Sequence, residues 1–112
     1  MIQVTIEKDQ SDHICSFEMK GHADFAEHGK DLVCAAATAV SFGAVNAIVE
    51  LTKVIPDVKQ GQDGGFLKVS FSQNLVPKTN EQVQLIVQAM IVSLQTIEQD
   101  YGQHIKITLQ KK

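Results

Sequence analysis

Residues 21–37 read GHADFAEHGKDLVCAAA, and the fold turns on how this stretch divides. It holds a strand end, an irregular loop and a helix start. Asp31 is a good helix N-cap, because its carboxylate can accept the orphan N–H groups of a first turn. With Asp31 as the cap, Leu32, Val33 and Cys34 take the first three helical positions. The Cys34 sulphur then lies at the positive end of the helix dipole, which favours a thiolate. Asp31 pulls the other way, since a nearby carboxylate disfavours a second negative charge. An imidazolium at His22, the far end of the loop, would offset that. Ala35, Ala36 and Ala37 are small and leave room beside the sulphur for an extended backbone. Gly21 and Gly29 bracket the loop and let it bend or move. A sulphur with a histidine near it makes Cys34 a candidate nucleophile and His22 its candidate base.

Working outward, Met1 to Lys8 alternates, with Ile2, Val4 and Ile6 on one face of a half-buried strand. Gln10-Ser11-Asp12 is a turn. In Ile14 to Lys20, Cys15, Phe17 and Met19 share a face, and this second strand delivers His22 to the sheet edge. The loop from Ala23 to Lys30 is mostly polar, buries little and is expected to open at low cost. A first helix is predicted from about Leu32 to Lys53. Val33, Ala36, Val40, Ala44, Ala47, Ile48 and Leu51 mark one apolar side; Phe42, Val45 and Val49 mark another. A helix apolar on two sides packs against two surfaces. Val54 to Gln60 and Phe66 to Ser72 flank Gly61-Gln62-Asp63-Gly64-Gly65 and form a hairpin, and Pro56, lacking a donor, places its strand at an edge or itself at an unpaired position. Thr79-Asn80-Glu81-Gln82 fits a capping box. Val83, Ile86, Val87, Met90, Leu94, Ile97 and Tyr101 recur at helical spacing, with Gly102 as the C′ residue. Ile105, Ile107 and Leu109 alternate as a last strand. The order β-β-α-β-β-α-β predicts an α+β two-layer sandwich, a mostly antiparallel sheet with two helices on one face.

The chain has 112 residues, the size of a single domain spanning 1–112. With 44% hydrophobic residues it can build a core without disulfides. A net charge of −3 gives no basic footprint for direct nucleic-acid binding. Cys15 and Cys34 form no CxxC or zinc-type spacing. The start lacks the plan of a signal peptide, and no apolar run is read as approaching the ~20 residues of a membrane span. A cytoplasmic protein with free thiols, away from membranes, is expected.

Gly21-His22-Ala23, a short loop containing Gly29, and Asp31-Leu32-Val33-Cys34-Ala35-Ala36 at the head of a small-residue helix together resemble the ribosomal-processing cysteine protease family, Prp. Ser41-Phe42-Gly43-Ala44-Val45-Asn46-Ala47 adds to the likeness, as do length and element order over the whole chain. Position 38, where the family tends to carry Ser, is Thr38, which keeps the hydroxyl. The resemblance implies a Cys34–His22 catalytic pair. It also implies a substrate, the N-terminal extension of bacterial large-subunit ribosomal protein twenty-seven. In this family the cut follows an aromatic residue and frees a small-residue, basic mature start. A homodimer formed through helices is implied, with no metal or organic cofactor.

Other assignments stand beside these. Asp31 either caps the helix or also orients His22. Gly21, Ala35, Thr38 and Phe25 are candidate substrate contacts; Phe25 alternatively anchors the loop to the core. Backbone N–H groups of Cys34 and Ala35 are candidate oxyanion donors. His28 is the competing base. His13 and His104 read as structural or solvated, and Cys15 as a buried, inert thiol of the core face. A metal site from Cys15, Cys34, His22 and His28 has no diagnostic spacing. The runner-up function is a non-catalytic ribosome-associated module that uses the same cleft to hold a peptide.

Overall fold

Alternation builds the sheet. Ile2, Val4 and Ile6 point to one face of the first strand, β1 (Ile2–Lys8), and all three are buried. The computed structural model describes residues 1–112 except His28, Gly29 and Asp63. The remaining elements are β2 (Ile14–Lys20), α1 (Leu32–Thr52), β3 (Asp57–Gln60), β4 (Phe66–Ser70), α2 (Pro77–Tyr101) and β5 (Ile105–Lys111). The sheet order is β3-β4-β2-β1-β5. β1 pairs antiparallel with β2 and parallel with β5, while β4 is antiparallel to both β2 and β3. The sheet is therefore mixed and mostly antiparallel, and the order is the expected β-β-α-β-β-α-β. β2–α1–β3 and β4–α2–β5 each join strands that run the same way, so each helix crosses the sheet to return the chain.

Register aligns one apolar face. Val4 pairs with Met19 and Ile107, Ile6 with Phe17, and Phe17 with Val69. Onto this face α1 lays Val33, Ala37, Ser41, Val45 and Ile48, and α2 lays Val83, Val87, Met90, Ile91 and Leu94. Val45 belongs to this core stripe rather than to a second side, whereas Val49 and Leu51 are exposed. Ala36, Val40, Phe42, Ala44 and Ala47 are half-buried along the flanks. Ser41 is buried with its hydroxyl donating to Met19 Sδ at 2.8 Å. By length and composition alone α1 is apolar enough to cross a membrane, which corrects the expectation that no run nears that length. Its core stripe and its alanines explain part of that apolarity, and the exposed Leu32, Val49 and Leu51 add to it.

The hairpin strands are shorter than expected, β3 starting at Asp57 rather than Val54 and β4 ending at Ser70 rather than Ser72, and both ends of α2 differ as well. α2 begins at Pro77, two residues before the Thr79 capping box, and its N-cap Val76 makes no side-chain cap bond. Proline wins because its fixed φ suits the first helical position and its missing N–H is an orphan there anyway. Gly102 is the C-cap itself, with a right-handed φ of −62°, rather than a left-handed C′ glycine. At α1 the expected cap holds, and Lys53 at φ 64° closes the other end. Pro56 precedes β3, which is an edge strand.

A bulge relocates Cys15. The β1–β2 register slips between Glu7 and Lys8, so Lys8 pairs with Ile14. Ile14, not Cys15, joins the core cluster. Cys15 is buried elsewhere, with its sulphur 3.3 Å from the Glu7 carbonyl and 3.7 Å from Glu7 Oε1. The bulged backbone is satisfied from α2. Gln84 accepts from Ile14 N–H through Oε1 and donates to Ile14 C=O through Nε2, both at 2.8 Å. Gln84→Ala leaves both buried groups unpaired and costs about 2–4 kcal/mol. Urea unfolding of the variant measures this; a loss under half a kcal/mol contradicts it.

Candidate active site

Gly21 turns the end of β2 toward α1. Its φ is +89°, and a Cβ there would sit 2.6 Å from the Met1 carbonyl oxygen, so only glycine fits. Its N–H donates to Gly65 C=O at 2.8 Å, which ties the hairpin tip to the loop. Asp24, at φ +56°, makes a second left-handed turn. His22 and Ala23 lie between these two residues.

Asp31 joins the loop to the helix. Its Oδ1 accepts from Val33 and Cys34 N–H, both at 3.0 Å. Its Oδ2 accepts from Phe25 N–H at 2.9 Å and Ala26 N–H at 3.4 Å. Burial raises its pKa, but the bonds from Cys34, Phe25, Ala26 and Val33 outweigh that and hold the carboxyl below its ordinary 3.8. A depressed carboxyl contributes stability that is present above the unfolded value and is lost as pH falls through the folded one. Wild type should therefore exceed Asp31→Asn in stability at pH 6, and the gap should close below about pH 4. Urea titrations across that range check this; a constant gap contradicts it.

The Cys34 sulphur accepts the Ala23 N–H at 3.3 Å. It faces a cavity of about 840 Å³. Gly21, His22, Asp24 and Ala26 form one wall. Asp31, Cys34, Ala35, Thr38, Ala39 and Phe42 of the α1 side form another, and Gln60, Gly64, Gly65, Phe66 and Leu67 of the hairpin close it. The expected Cys34, His22, Asp31, Gly21, Ala35 and Thr38 thus share one cavity. No lysine lines it among the described residues, while Asp24 does.

Three expectations change. Phe25 is not among the cavity-lining residues; its ring stands edge-on to Tyr101 at 5.5 Å and to His104 at 5.2 Å. These contacts tie the loop to the α2–β5 junction rather than to the core, and the Phe25 side chain stays 40% exposed. Residues 23–26 are held at several points by hydrogen bonds and ring contacts, although only Ala23 is buried and residues 24–26 are exposed. The N–H groups of Cys34 and Ala35 are committed to Asp31 Oδ1 and Asp31 C=O, each at 3.0 Å, so neither is free as an oxyanion donor. His104, read as structural or solvated, is structural: its Nδ1 lies 3.0 Å from Ala23 C=O. Sequence spacing carries no signal for a contact between residues so far apart. His28 as a competing base, Gly29 as a hinge and Asp63 of the tip lie outside the described residues.

Cys15 lies outside this cavity. Burial, then the charge of Glu7, pushes the Cys15 thiol upward, so it is a poor nucleophile. Among the described residues no three His, Cys, Asp or Glu gather as metal ligands.

Cys34, at the capped start of α1, and His22 line one peptide-sized cleft. The chain belongs to the family described as cysteine protease Prp, whose family model matches residues 1–106. It is 50% identical over 108 residues to the ribosomal processing cysteine protease Prp of Bacillus subtilis, covering 96% of each chain. The crystal structure of the S. aureus ribosomal processing protease Prp with a covalently linked product peptide superposes with a TM-score of 0.89 at 42% identity, covering 98% of this chain and 100% of that one. The same S. aureus protease with a substrate peptide gives 0.83 at 41% identity and the same coverage.

Proposed function

We propose that this chain removes the N-terminal extension of large-subunit ribosomal protein twenty-seven as a cysteine endopeptidase of the cytoplasm, and so serves ribosome assembly. The observation that carries this reading is the single cavity lined by both Cys34 and His22. His22 takes the Cys34 thiol proton, and the thiolate attacks the scissile carbonyl carbon. The C–N bond breaks as His22 returns the proton to the leaving amine, leaving a thioester. Water, deprotonated by His22, then releases the acid and restores the thiol. Gly21, Ala35 and Thr38 line the path of the peptide backbone. No metal or organic cofactor enters these steps.

Mass spectrometry of an extension peptide incubated with the protein tests this. Two products, split after an aromatic residue, are expected. An intact peptide that binds but is never cut would favour the non-catalytic ribosome-associated module instead.

The homodimer belongs to the same proposal. Leu85 and Val92, seven apart on one face of α2, are 70% and 61% exposed, and Val49 and Leu51 of α1 are also uncovered. Light scattering at tens of micromolar should give twice the chain mass; a monomer removes this part.

A further inference from the structure

We propose that His104 is a positioning residue that aims the Ala23 N–H at the Cys34 sulphur. The proposal rests on Cys34 as the nucleophile.

Ala23 is 1% exposed and is fastened at both of its backbone groups. Its N–H donates to Cys34 Sγ at 3.3 Å, and its C=O lies 3.0 Å from His104 Nδ1. A carbonyl only accepts, so Nδ1 carries the proton of that bond. Left-handed Gly21 and Asp24 flank the pair His22-Ala23. No helix or strand holds this turn, so side-chain fasteners set where the Ala23 N–H points. His104 can serve as one because it is itself fixed. Its C=O accepts the Ile2 N–H of β1, and its N–H donates to Tyr101 C=O at the end of α2, both at 2.8 Å. Its ring also stands edge-on to Phe25 at 5.2 Å.

The chemistry follows from the acceptor. A neutral thiol sulphur accepts weakly, whereas a charged sulphur accepts strongly, so a fixed N–H favours the thiolate over the thiol. Releasing Ala23 withdraws that preference while the Cys34 and His22 side chains both keep their own chemistry.

Two substitutions separate hydrogen bonding from packing. His104→Phe keeps a ring against Phe25 and removes the donor. His104→Asn restores a short N–H donor without the ring. For each, Cys34 alkylation by iodoacetamide at neutral pH is followed by peptide mapping, alongside the thiolate ultraviolet absorbance. His104→Phe should slow Cys34 alkylation about tenfold and lower the absorbance, and His104→Asn should recover most of both. A folded His104→Phe that matches wild type, or a His104→Asn no better than His104→Phe, overturns the proposal. Should His104→Phe fail to fold, the wild-type protein decides. The His104 ring N–H resonance should move when Cys34 is alkylated, and a resonance blind to alkylation overturns the proposal. A wild-type Cys34 that reacts no faster than Cys15 would remove the nucleophile assignment and this proposal together. A fast wild-type Cys34 with an insensitive His104→Phe removes this proposal alone.

Discussion

Cys34→Ala should lower kcat/KM for an extension peptide by on the order of 10⁴-fold or more, because the attacking sulphur is removed. His22→Ala should cost about 10²–10⁴-fold, the usual worth of a general base. Neither change should unfold the chain. Cys34 is half-buried, and among the described residues its side chain accepts one bond, from Ala23 N–H. His22 is half-buried at the cavity wall. His28→Ala should keep much of the activity. Single-turnover kinetics on the three variants, with melting curves beside them, decide the roles. An inactive His28→Ala paired with an active His22→Ala would reverse the two histidines. An active Cys34→Ala would end the thiol mechanism.

Gly21→Ala should be among the most damaging changes in the chain. At φ +89° an L side chain is strained, and the added Cβ would meet the Met1 carbonyl oxygen at 2.6 Å. The obstacle is the backbone of Met1, directly before the first strand, so it cannot swing aside as a long side chain would. The strain and the clash together cost about 2–4 kcal/mol, which lowers Tm by roughly 10–20 °C in a domain of this size. Activity should fall further than stability, because relief of the clash displaces His22 next in sequence and loosens the Gly21 N–H to Gly65 C=O bond. Calorimetry and peptide cleavage at a temperature where the variant is folded measure the two effects. A variant within a degree or two of wild type would show that the turn relaxes freely.

Much of this was legible in the sequence because the signals are local. The period-2 runs of β1 and β2 set the apolar sheet face, and Asp31 followed by an apolar run marked the start of α1. His22 and Cys34 flank one loop, so short range alone brings them to one cavity. What escaped was decided at long range or by competition. Cys15 alternates with Phe17 and Met19 in sequence, yet a bulge held by Gln84, 70 residues away, gives its core place to Ile14. Thr79 matched a capping box, but Pro77 had already opened the helix. Helix-start N–H groups are generic oxyanion candidates, but the same Asp31 that caps the helix occupies the Cys34 N–H. Phe25 looked like a ligand for substrate because its partners Tyr101 and His104 are distant in the chain.

The most direct test uses an extension peptide carrying a chloromethyl ketone at the scissile carbonyl. It is incubated with the protein, and the adduct is located by intact mass and peptide mapping. One adduct per chain on Cys34 is predicted, absent from Cys34→Ala and strongly slowed in His22→Ala. An adduct on Cys15, or one formed equally well without Cys34, would contradict the assignment of Cys34 and His22 as the pair that cuts.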